Sequence, residues 1–128
     1  MSAKINCYLI THGDLGEYLI KISSNLVTNT VPIAFYSNKN LALEKIEEKI
    51  SSEIASKKSY KHLVFVDLAG GSCWMLANRI KKNNDDVSVI SGVNIPMLVS
   101  FQVNCCRMEW EDLLVKIVED GKKGIDRR

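Results

Sequence analysis

Long hydrophobic runs are absent from the sequence, since no apolar segment approaches the roughly 18 residues that a transmembrane helix requires. The first nine residues lack the long apolar region and the small-residue cleavage site of a signal peptide, so we expect no leader. An excess of one charge is also missing, because 17 basic residues are interspersed with 15 acidic ones and leave a formal net charge of +2. This balance argues against nucleic acid as a partner.

Metal and disulfide motifs are missing as well. The four cysteines include no CxxC pair, and Cys105 and Cys106 are adjacent, which is poor geometry for a mutual disulfide. With only two histidines in the chain, we expect no catalytic metal site and no cofactor, and we interpret the cysteines as reduced thiols of a cytoplasmic protein. Without repeats, linkers or low-complexity tracts, the 128 residues are interpreted as one globular domain, 1–128.

What the sequence does contain is an alternation of short apolar runs with longer amphipathic stretches. The runs predict four strands, and the stretches, in which apolar residues recur every three or four positions, predict five helices. The predicted strands cover about 5–10, 30–36, 62–67 and 87–90. The second predicted helix is capped by Ser37-Asn38 and runs to about Ser56, and the others cover about 15–27, 72–82, 97–104 and a last stretch that starts near Trp110 and ends at Gly121. The tail 124–128 could add a short strand.

This alternation predicts a doubly wound α/β fold, in which helices cover both faces of a mainly parallel sheet and right-handed crossovers join the strands. Pro32 cannot donate a hydrogen bond to a neighbouring strand, so the second strand should lie at an edge. Ligands bind such sheets beyond the carboxyl ends of the strands. The residues that directly follow the strands are therefore the candidates for a functional site.

Two such residues are His12, which follows the first predicted strand, and Asp67, which ends the third. His12 also precedes a helix, whose N-terminal amides favour anions and disfavour a cationic imidazole. A carboxylate at the end of an apolar strand needs a partner, and the His12 ring can supply one. Asp67 would then decide which ring nitrogen carries the proton and which is the nucleophile. Taken singly, each residue could instead serve only to cap a turn.

A glycine pair and a serine follow Asp67. Gly70 and Gly71 would let the backbone approach a ligand, and Ser72 begins a helix whose amides could hold a phosphate group. The alternative is that Ser72 only caps the helix. His62 stands at the start of the third strand, at the opposite end of the sheet, and receives no functional role. A histidine nucleophile beside a carboxylate and helix N-termini suits the transient capture of a phosphoryl group.

At three segments the sequence resembles the enzyme IIA domain of the mannose-type sugar phosphotransferase system. These segments are Thr11-His12-Gly13 with Leu15-Gly16, the run from Asp67 to Ser72 (DLAGGS), and the run from Ser91 to Leu98 (SGVNIPML). The resemblance implies the sheet order 2-1-3-4 and a homodimer in which an antiparallel C-terminal strand crosses to the partner's sheet. The tail after Gly124 is short for that exchange.

The resemblance also implies residue roles. His12 would accept a phosphoryl group from the phosphocarrier HPr and pass it to a separate enzyme IIB, while Asp67 orients the imidazole. Gly71 and Ser72, with Gly13, would bind the phosphoryl oxygens. Contact with the membrane would be indirect, through the IIC and IID subunits. Two other functions need the same histidine and stay open: the phosphoryl-donor subunit of a dihydroxyacetone kinase, and a regulatory module controlled by its phosphorylation state.

The sequence departs from the family pattern beside the predicted site. The family usually has proline after the serine, whereas Cys73, Trp74 and Met75 stand here, and Ala69 replaces a residue that is often bulky. A helix N-terminus can lower a thiol pKa, so we expect Cys73 to be a reactive thiol whose oxidation impairs phosphotransfer. The surface that meets HPr and IIB is expected to be altered by the same substitutions.

Overall fold

The computed structural model describes residues 4–128 and contains a single parallel sheet with helices on both faces. The strands are β1 (Ile5–Thr11), β2 (Ile33–Ser37), β3 (Lys61–Val66) and β4 (Val87–Ile90). The helices are α1 (Leu15–Ser24), α2 (Leu43–Ser56), α3 (Ser72–Lys82), α4 (Ile95–Asn104) and α5 (Trp110–Lys123). None of the helices in this described part of the chain is long and apolar enough to cross a membrane.

The strand order β2-β1-β3-β4 confirms the order that the resemblance implied and places β2 at an edge. Pro32 directly precedes β2, so its missing N–H costs the sheet nothing. All three strand pairs are parallel, and the register pairs Ile10 with Tyr36 on one side and with Val66 on the other. The carboxyl ends of β1, β2 and β3 consequently lie at the same end of the sheet.

Alternate side chains of the strands feed two hydrophobic cores. Tyr8, Ile10, Val64 and Val66 face α2 and α3, whereas the intervening residues of β1 and β3 face α1, α4 and α5. The apolar side chains that were predicted to stripe α2 are buried against the first core, as the 3.6-residue period requires. Both faces of the sheet are therefore covered, as is usual for a parallel sheet.

The prediction for α1 is wrong in its end and in its buried face. The helix ends at Ser24, not at residue 27. Its prediction rests on the recurrence of Leu15, Tyr18, Leu19, Ile22 and Leu26, and all of these except Leu19 are exposed. The inward face instead carries Gly16 and Ser23, with Leu19 and Ile20 between them. The helix has apolar residues on two faces, and its small residues let the other face approach the sheet closely.

The C-terminal prediction is also corrected. Gly121 lies inside α5, and the helix ends at Lys123 with the Gly124 amide donating to Asp120 O. A β-carbon at position 121 would come within 2.5 Å of Met97 Cγ, so this glycine serves the close packing of α5 against α4. Residues 125–128 carry no strand in the described chain. Exchange of this tail with a partner's sheet stays a prediction.

Candidate active site

His12 and Asp67 meet because they continue two neighbouring parallel strands. His12 follows β1 and Asp67 follows β3, and the register pairs Val66, directly before Asp67, with Ile10, two residues before His12. The Nδ1 atom of His12 lies 2.7 Å from Asp67 Oδ2, and the backbone amide of His12 donates to the same oxygen at 2.8 Å. The contact expected from the sequence is present, and both residues are at the carboxyl edge of the sheet.

Asp67 is held as a carboxylate. Its side chain is only 9% exposed, and burial alone would raise the pKa of the carboxyl group. The hydrogen bonds from the His12 amide and ring, together with the Leu68 amide that donates to Oδ1 at 3.0 Å, outweigh burial and lower the pKa. An ionised carboxylate can only accept hydrogen bonds, so it selects the form of the imidazole that carries a proton on Nδ1.

The other ring nitrogen, Nε2, is thereby left with its lone pair free in the neutral ring. The His12 side chain is 43% exposed, so a reactant can reach it from solvent. The hydroxyl oxygen of Ser72 lies 3.4 Å from Nε2. A nucleophilic nitrogen and a hydroxyl donor therefore stand side by side at the mouth of the site.

The start of α3 faces the imidazole. The first backbone bond of this helix runs from the Met75 amide to Gly71 O, so the amides of Ser72, Cys73 and Trp74 precede the helical hydrogen-bond ladder. A β-carbon at position 71 would lie 3.2 Å from His12 Cε1, which is tighter than an ordinary contact. Gly71 thus allows the helix N-terminus to approach the ring, and Gly70, with φ of +87°, makes the preceding turn.

Gly13 is placed beside His12, but its amide is engaged. It has φ of +59°, and its N–H donates to Asn38 Oδ1 at 3.2 Å. A phosphoryl oxygen would have to displace Asn38 to bind this amide, so the phosphate-binding role of Gly13 stays a prediction. The neighbouring Thr11 hydroxyl accepts from the Gly16 amide at 2.9 Å and fixes the start of α1.

Asn38 is the residue of this site that the sequence did not reveal. The Ser37-Asn38 pair was interpreted as a helix cap, but α2 begins later, at Leu43, with Ala42 as its N-cap. The rule that sites lie beyond the strand ends could have found Asn38, because it directly follows β2, the other neighbour of β1.

The expectation for Cys73 is wrong in its physical basis. The thiol is fully buried, and burial together with the nearby Asp67 carboxylate raises its pKa to about 11. Desolvation and the negative charge of Asp67 raise the pKa of the thiol by more than the helix N-terminus lowers it. The thiol is therefore protonated at neutral pH. Its sulfur lies 3.9 Å from His12 Nδ1, closer to the reactive ring than the sequence suggested.

His62, to which no role was assigned, belongs to a separate network. It is buried near the start of β3, at the opposite end of that strand from Asp67. Its Nε2 donates to Lys57 O at 3.1 Å, and its Nδ1 accepts from the Tyr8 hydroxyl at 3.0 Å. Burial lowers the pKa of this imidazole, in keeping with a neutral ring in a structural network.

Comparison with known proteins identifies the family. A family model described as the PTS system fructose IIA component, EIIA-man, matches residues 7–118. The mannose-specific EIIAB component of Escherichia coli K12 is 33% identical over 120 residues, which cover 90% of this chain and 36% of that protein. The chain thus spans about a third of the length of this curated relative.

Solved structures agree in fold at lower identity. EIIA of the phosphotransferase system from Streptococcus agalactiae has a TM-score of 0.84 and 18% identity, with 96% of each chain covered. The mannose/sorbose specific IIA subunit from Enterococcus faecalis has a TM-score of 0.82 and 19% identity, covering 100% of this chain and 96% of its own. With its sheet order, its strand-end histidine and these matches, the chain belongs to the mannose-type IIA family of the sugar phosphotransferase system.

Proposed function

We propose that this protein is a phosphocarrier, in which His12 accepts a phosphoryl group from phospho-HPr and passes it to an enzyme IIB. The observation that carries the proposal is the 2.7 Å contact between His12 Nδ1 and Asp67 Oδ2. That contact leaves Nε2 of the half-exposed His12 side chain free for the incoming group. Membership of the mannose-type IIA family supports HPr as the donor and an enzyme IIB as the acceptor.

The transfer step balances with the groups present. The Nε2 lone pair of His12 forms a bond to phosphorus, while the bond between phosphorus and the donor nitrogen breaks and returns its electron pair to the HPr imidazole. The proton on His12 Nδ1 stays in place, so the phosphorylated ring acquires a positive charge. The Asp67 carboxylate, beside that proton, stabilises the charge as it develops.

The oxygens of the phosphoryl group carry negative charge, and the start of α3 is suited to receive them. The amides of its first turn precede the hydrogen-bond ladder, and the Ser72 hydroxyl lies 3.4 Å from Nε2. Amides at a helix N-terminus favour an anion through both their hydrogen bonds and the helix dipole. We therefore assign Ser72 and the Gly71–Ser72 backbone to the binding of the phosphoryl oxygens.

Apolar side chains around the site suit protein partners rather than a small substrate. Leu15, Leu68 and Met75 follow His12, Asp67 and Ser72 closely in sequence, and each has about half or more of its surface exposed. Exposed apolar groups near a polar centre are typical of protein-docking surfaces. The proposal also includes a homodimer that acts in the cytoplasm and meets the membrane only through IIC and IID.

The test is incubation with phosphoenolpyruvate, enzyme I and HPr, followed by mass spectrometry under conditions that preserve phosphohistidine. We expect one phosphoryl group on the peptide that contains His12, and we expect the His12→Ala variant to take up none. The peptide that contains His62 is the internal control, since that ring is buried. Phosphate on another residue, or its persistence in the His12→Ala variant, would refute the proposal.

The acceptor is tested separately. Purified phosphorylated protein is mixed with an enzyme IIB of the mannose family, and we expect the label to move to IIB. A different result is that the label stays on this protein when IIB is added but moves to a dihydroxyacetone kinase loaded with a nucleotide. That result would reassign the protein as the phosphoryl donor of the kinase. The sugar does not enter this test, because the proposed carrier contacts only the two proteins.

A further inference from the structure

Three side chains with metal-binding donor atoms converge in the site. His12, Asp67 and Cys73 each offer one such atom, and the three atoms all lie within 4.8 Å of one another. The closest pair is His12 Nδ1 and Asp67 Oδ2 at 2.7 Å, and Cys73 Sγ is 3.9 Å from the same Nδ1. The positions 12, 67 and 73 form no metal motif in the sequence, and only the meeting of β1, β3 and α3 brings them together.

We propose that these three side chains bind a thiophilic divalent cation, with Zn²⁺ as the best fit. Imidazole nitrogen, carboxylate oxygen and thiolate sulfur are the ligands that zinc takes, with bonds of about 2.0–2.3 Å. Donor atoms around one tetrahedral zinc are about 3.3–3.6 Å apart on that basis. Side-chain rotations would therefore have to bring Nδ1 and Sγ closer by a few tenths of an ångström and to move Nδ1 and Oδ2 apart by about 0.6 Å. The half-exposed His12 side chain leaves a route of entry from solvent.

Cys73 is decisive for affinity because of the charge of the surroundings. The amides at the start of α3 favour an anion and oppose a cation. A bound Zn²⁺ therefore depends on two negative ligands, the Asp67 carboxylate and the Cys73 thiolate. The thiol proton is released to solvent when the Zn–S bond forms, so the thiol is deprotonated by the metal itself.

The consequence of binding rests on the proposed function. The metal takes the lone pair of His12 Nδ1, and the proton that was on Nδ1 moves to Nε2 to keep the ring neutral. Nε2 then has no free lone pair to offer phosphorus. Binding of the cation and phosphorylation of His12 consequently exclude each other. The bound metal would therefore inhibit the phosphocarrier.

Binding is tested without any phosphotransfer. Co²⁺ is titrated into the purified, reduced protein, and we expect a one-to-one complex with the intense absorption of a cobalt–thiolate bond, displaced by Zn²⁺. Loss of a metal's outer partners alone weakens binding about 10-fold to 100-fold, so removal of a ligand in Cys73→Ser should weaken Zn²⁺ binding about 100-fold or more. Cys106→Ser, which removes an exposed thiol outside the site, is the matched control and should bind as the wild type does.

Equal Zn²⁺ affinity in the wild type and in Cys73→Ser would overturn the proposal. So would loss of the cobalt–thiolate band in Cys106→Ser but not in Cys73→Ser, since that result would assign the metal to the adjacent cysteine pair. Both outcomes are independent of whether His12 is phosphorylated, so the failure of the proposed function would be seen separately.

The mutual exclusion is tested with purified phospho-HPr in a single turnover, so that metal effects on enzyme I are avoided. Zn²⁺ at saturation should slow phosphorylation of the wild type by at least about 100-fold, the lower end of what a positioned proton-transfer group contributes. Each variant is compared with itself in the presence and absence of Zn²⁺, and Cys73→Ser should show no such slowing. Equal slowing of both proteins would overturn the exclusion, whereas no phosphorylation without Zn²⁺ would instead refute the carrier function.

Discussion

Asp67 holds His12 twice through one oxygen atom. Oδ2 accepts the backbone N–H of His12 at 2.8 Å and the ring Nδ1–H at 2.7 Å, so main chain and side chain are fixed together. The ring therefore loses its conformational entropy during folding and not during the proposed phosphotransfer. At the scale of single residues, removal of this carboxylate should slow the proposed phosphorylation step and leave the binding of protein partners unchanged.

Replacing Asp67 by Asn tests this role. The amide keeps the shape of the side chain but removes the negative charge and offers an N–H₂ group that favours the wrong ring nitrogen. We expect the rate of phosphorylation by phospho-HPr to fall about 100-fold to 1000-fold, the usual loss when one preorganised charge-stabilising group is removed. The measurement is rapid-quench phosphorylation at saturating phospho-HPr.

Asp14→Asn is the control for that variant. Asp14 lies next to the site loop, but its carboxylate pairs with Lys39 at 3.1 Å and is a solvent-facing ion pair of small energetic weight. We expect its phosphorylation rate to stay within about twofold of the wild type, because such pairs contribute less than about 1 kcal/mol. An unchanged rate in Asp67→Asn would show that the carboxylate does not act during transfer.

The sequence predicted the central pair of the site because that pair follows from topology. Residues that follow neighbouring parallel strands lie close together, so the sequence alone could predict the contact between His12 and Asp67. The same rule could have included Asn38, which follows β2, but its hydrogen bond to the Gly13 amide depends on loop packing. The burial of Cys73 could not be predicted, since it depends on how α3 packs against the sheet. The position of Cys73 at a helix N-terminus predicted a lowered thiol pKa, whereas burial in the folded protein raises it.

At the scale of elements, α1 shows why an apolar period alone does not choose a buried face. The helix offers one stripe that begins at Leu15 and another that includes Leu19, and only the second packs on the sheet. Gly16 decides between them, because it permits contact that larger residues would block. A β-carbon there would lie 2.5 Å from Phe35 Cε1 and 3.1 Å from Leu9 Cδ2.

We expect Gly16→Ala to destabilise the protein even though alanine is the better helix former. The steric conflict with Phe35 should cost about 1–3 kcal/mol, as overpacking of a core usually does. The gain in helix propensity offsets about 1 kcal/mol of this. Chemical denaturation should therefore show a net loss in the free energy of unfolding, with the β2 side of the sheet affected most.

Ser52→Ala provides the matched control, because it adds the same alanine at an exposed position within α2. Its unfolding free energy should be unchanged or slightly higher, by a few tenths of a kcal/mol. If Gly16→Ala were as stable as Ser52→Ala, α1 would not be held against the sheet by close contact at that glycine.

Elements whose ends carry local signals were predicted well. The bounds of α3 and β4 agree with the sequence prediction, and Pro96 lies in the first turn of α4, where Asn94 caps the helix by accepting from the Met97 amide. Gly121 misled the prediction of the last helix, because a glycine that fits a tight helix crossing looks the same in sequence as one that ends a helix.

At the scale of the whole molecule, the two ends of the sheet carry different groups. The carboxyl end holds the half-exposed His12, whereas the buried His62 near the other end links Tyr8 to the Lys57 carbonyl. Asn6 extends this network by donating to the Tyr8 hydroxyl and to Glu53. This polar network stabilises the fold only while the His62 imidazole is neutral. A second proton, on Nδ1, would remove the lone pair that accepts the hydrogen bond from the Tyr8 hydroxyl.

Stability should therefore fall in mild acid. Burial lowers the pKa of His62 from its ordinary 6.5, so the unfolded chain takes up this proton before the folded protein does. The contribution is complete above pH 6.5 and is lost as the pH falls toward the folded-state pKa, by at most about 1.4 kcal/mol per pH unit for one proton. Asp67 acts only at lower pH, because its pKa is lowered from 3.8. Urea denaturation between pH 8 and 5 measures the slope, which His62→Gln should flatten; an undiminished slope in that variant would show that His62 is not the group responsible.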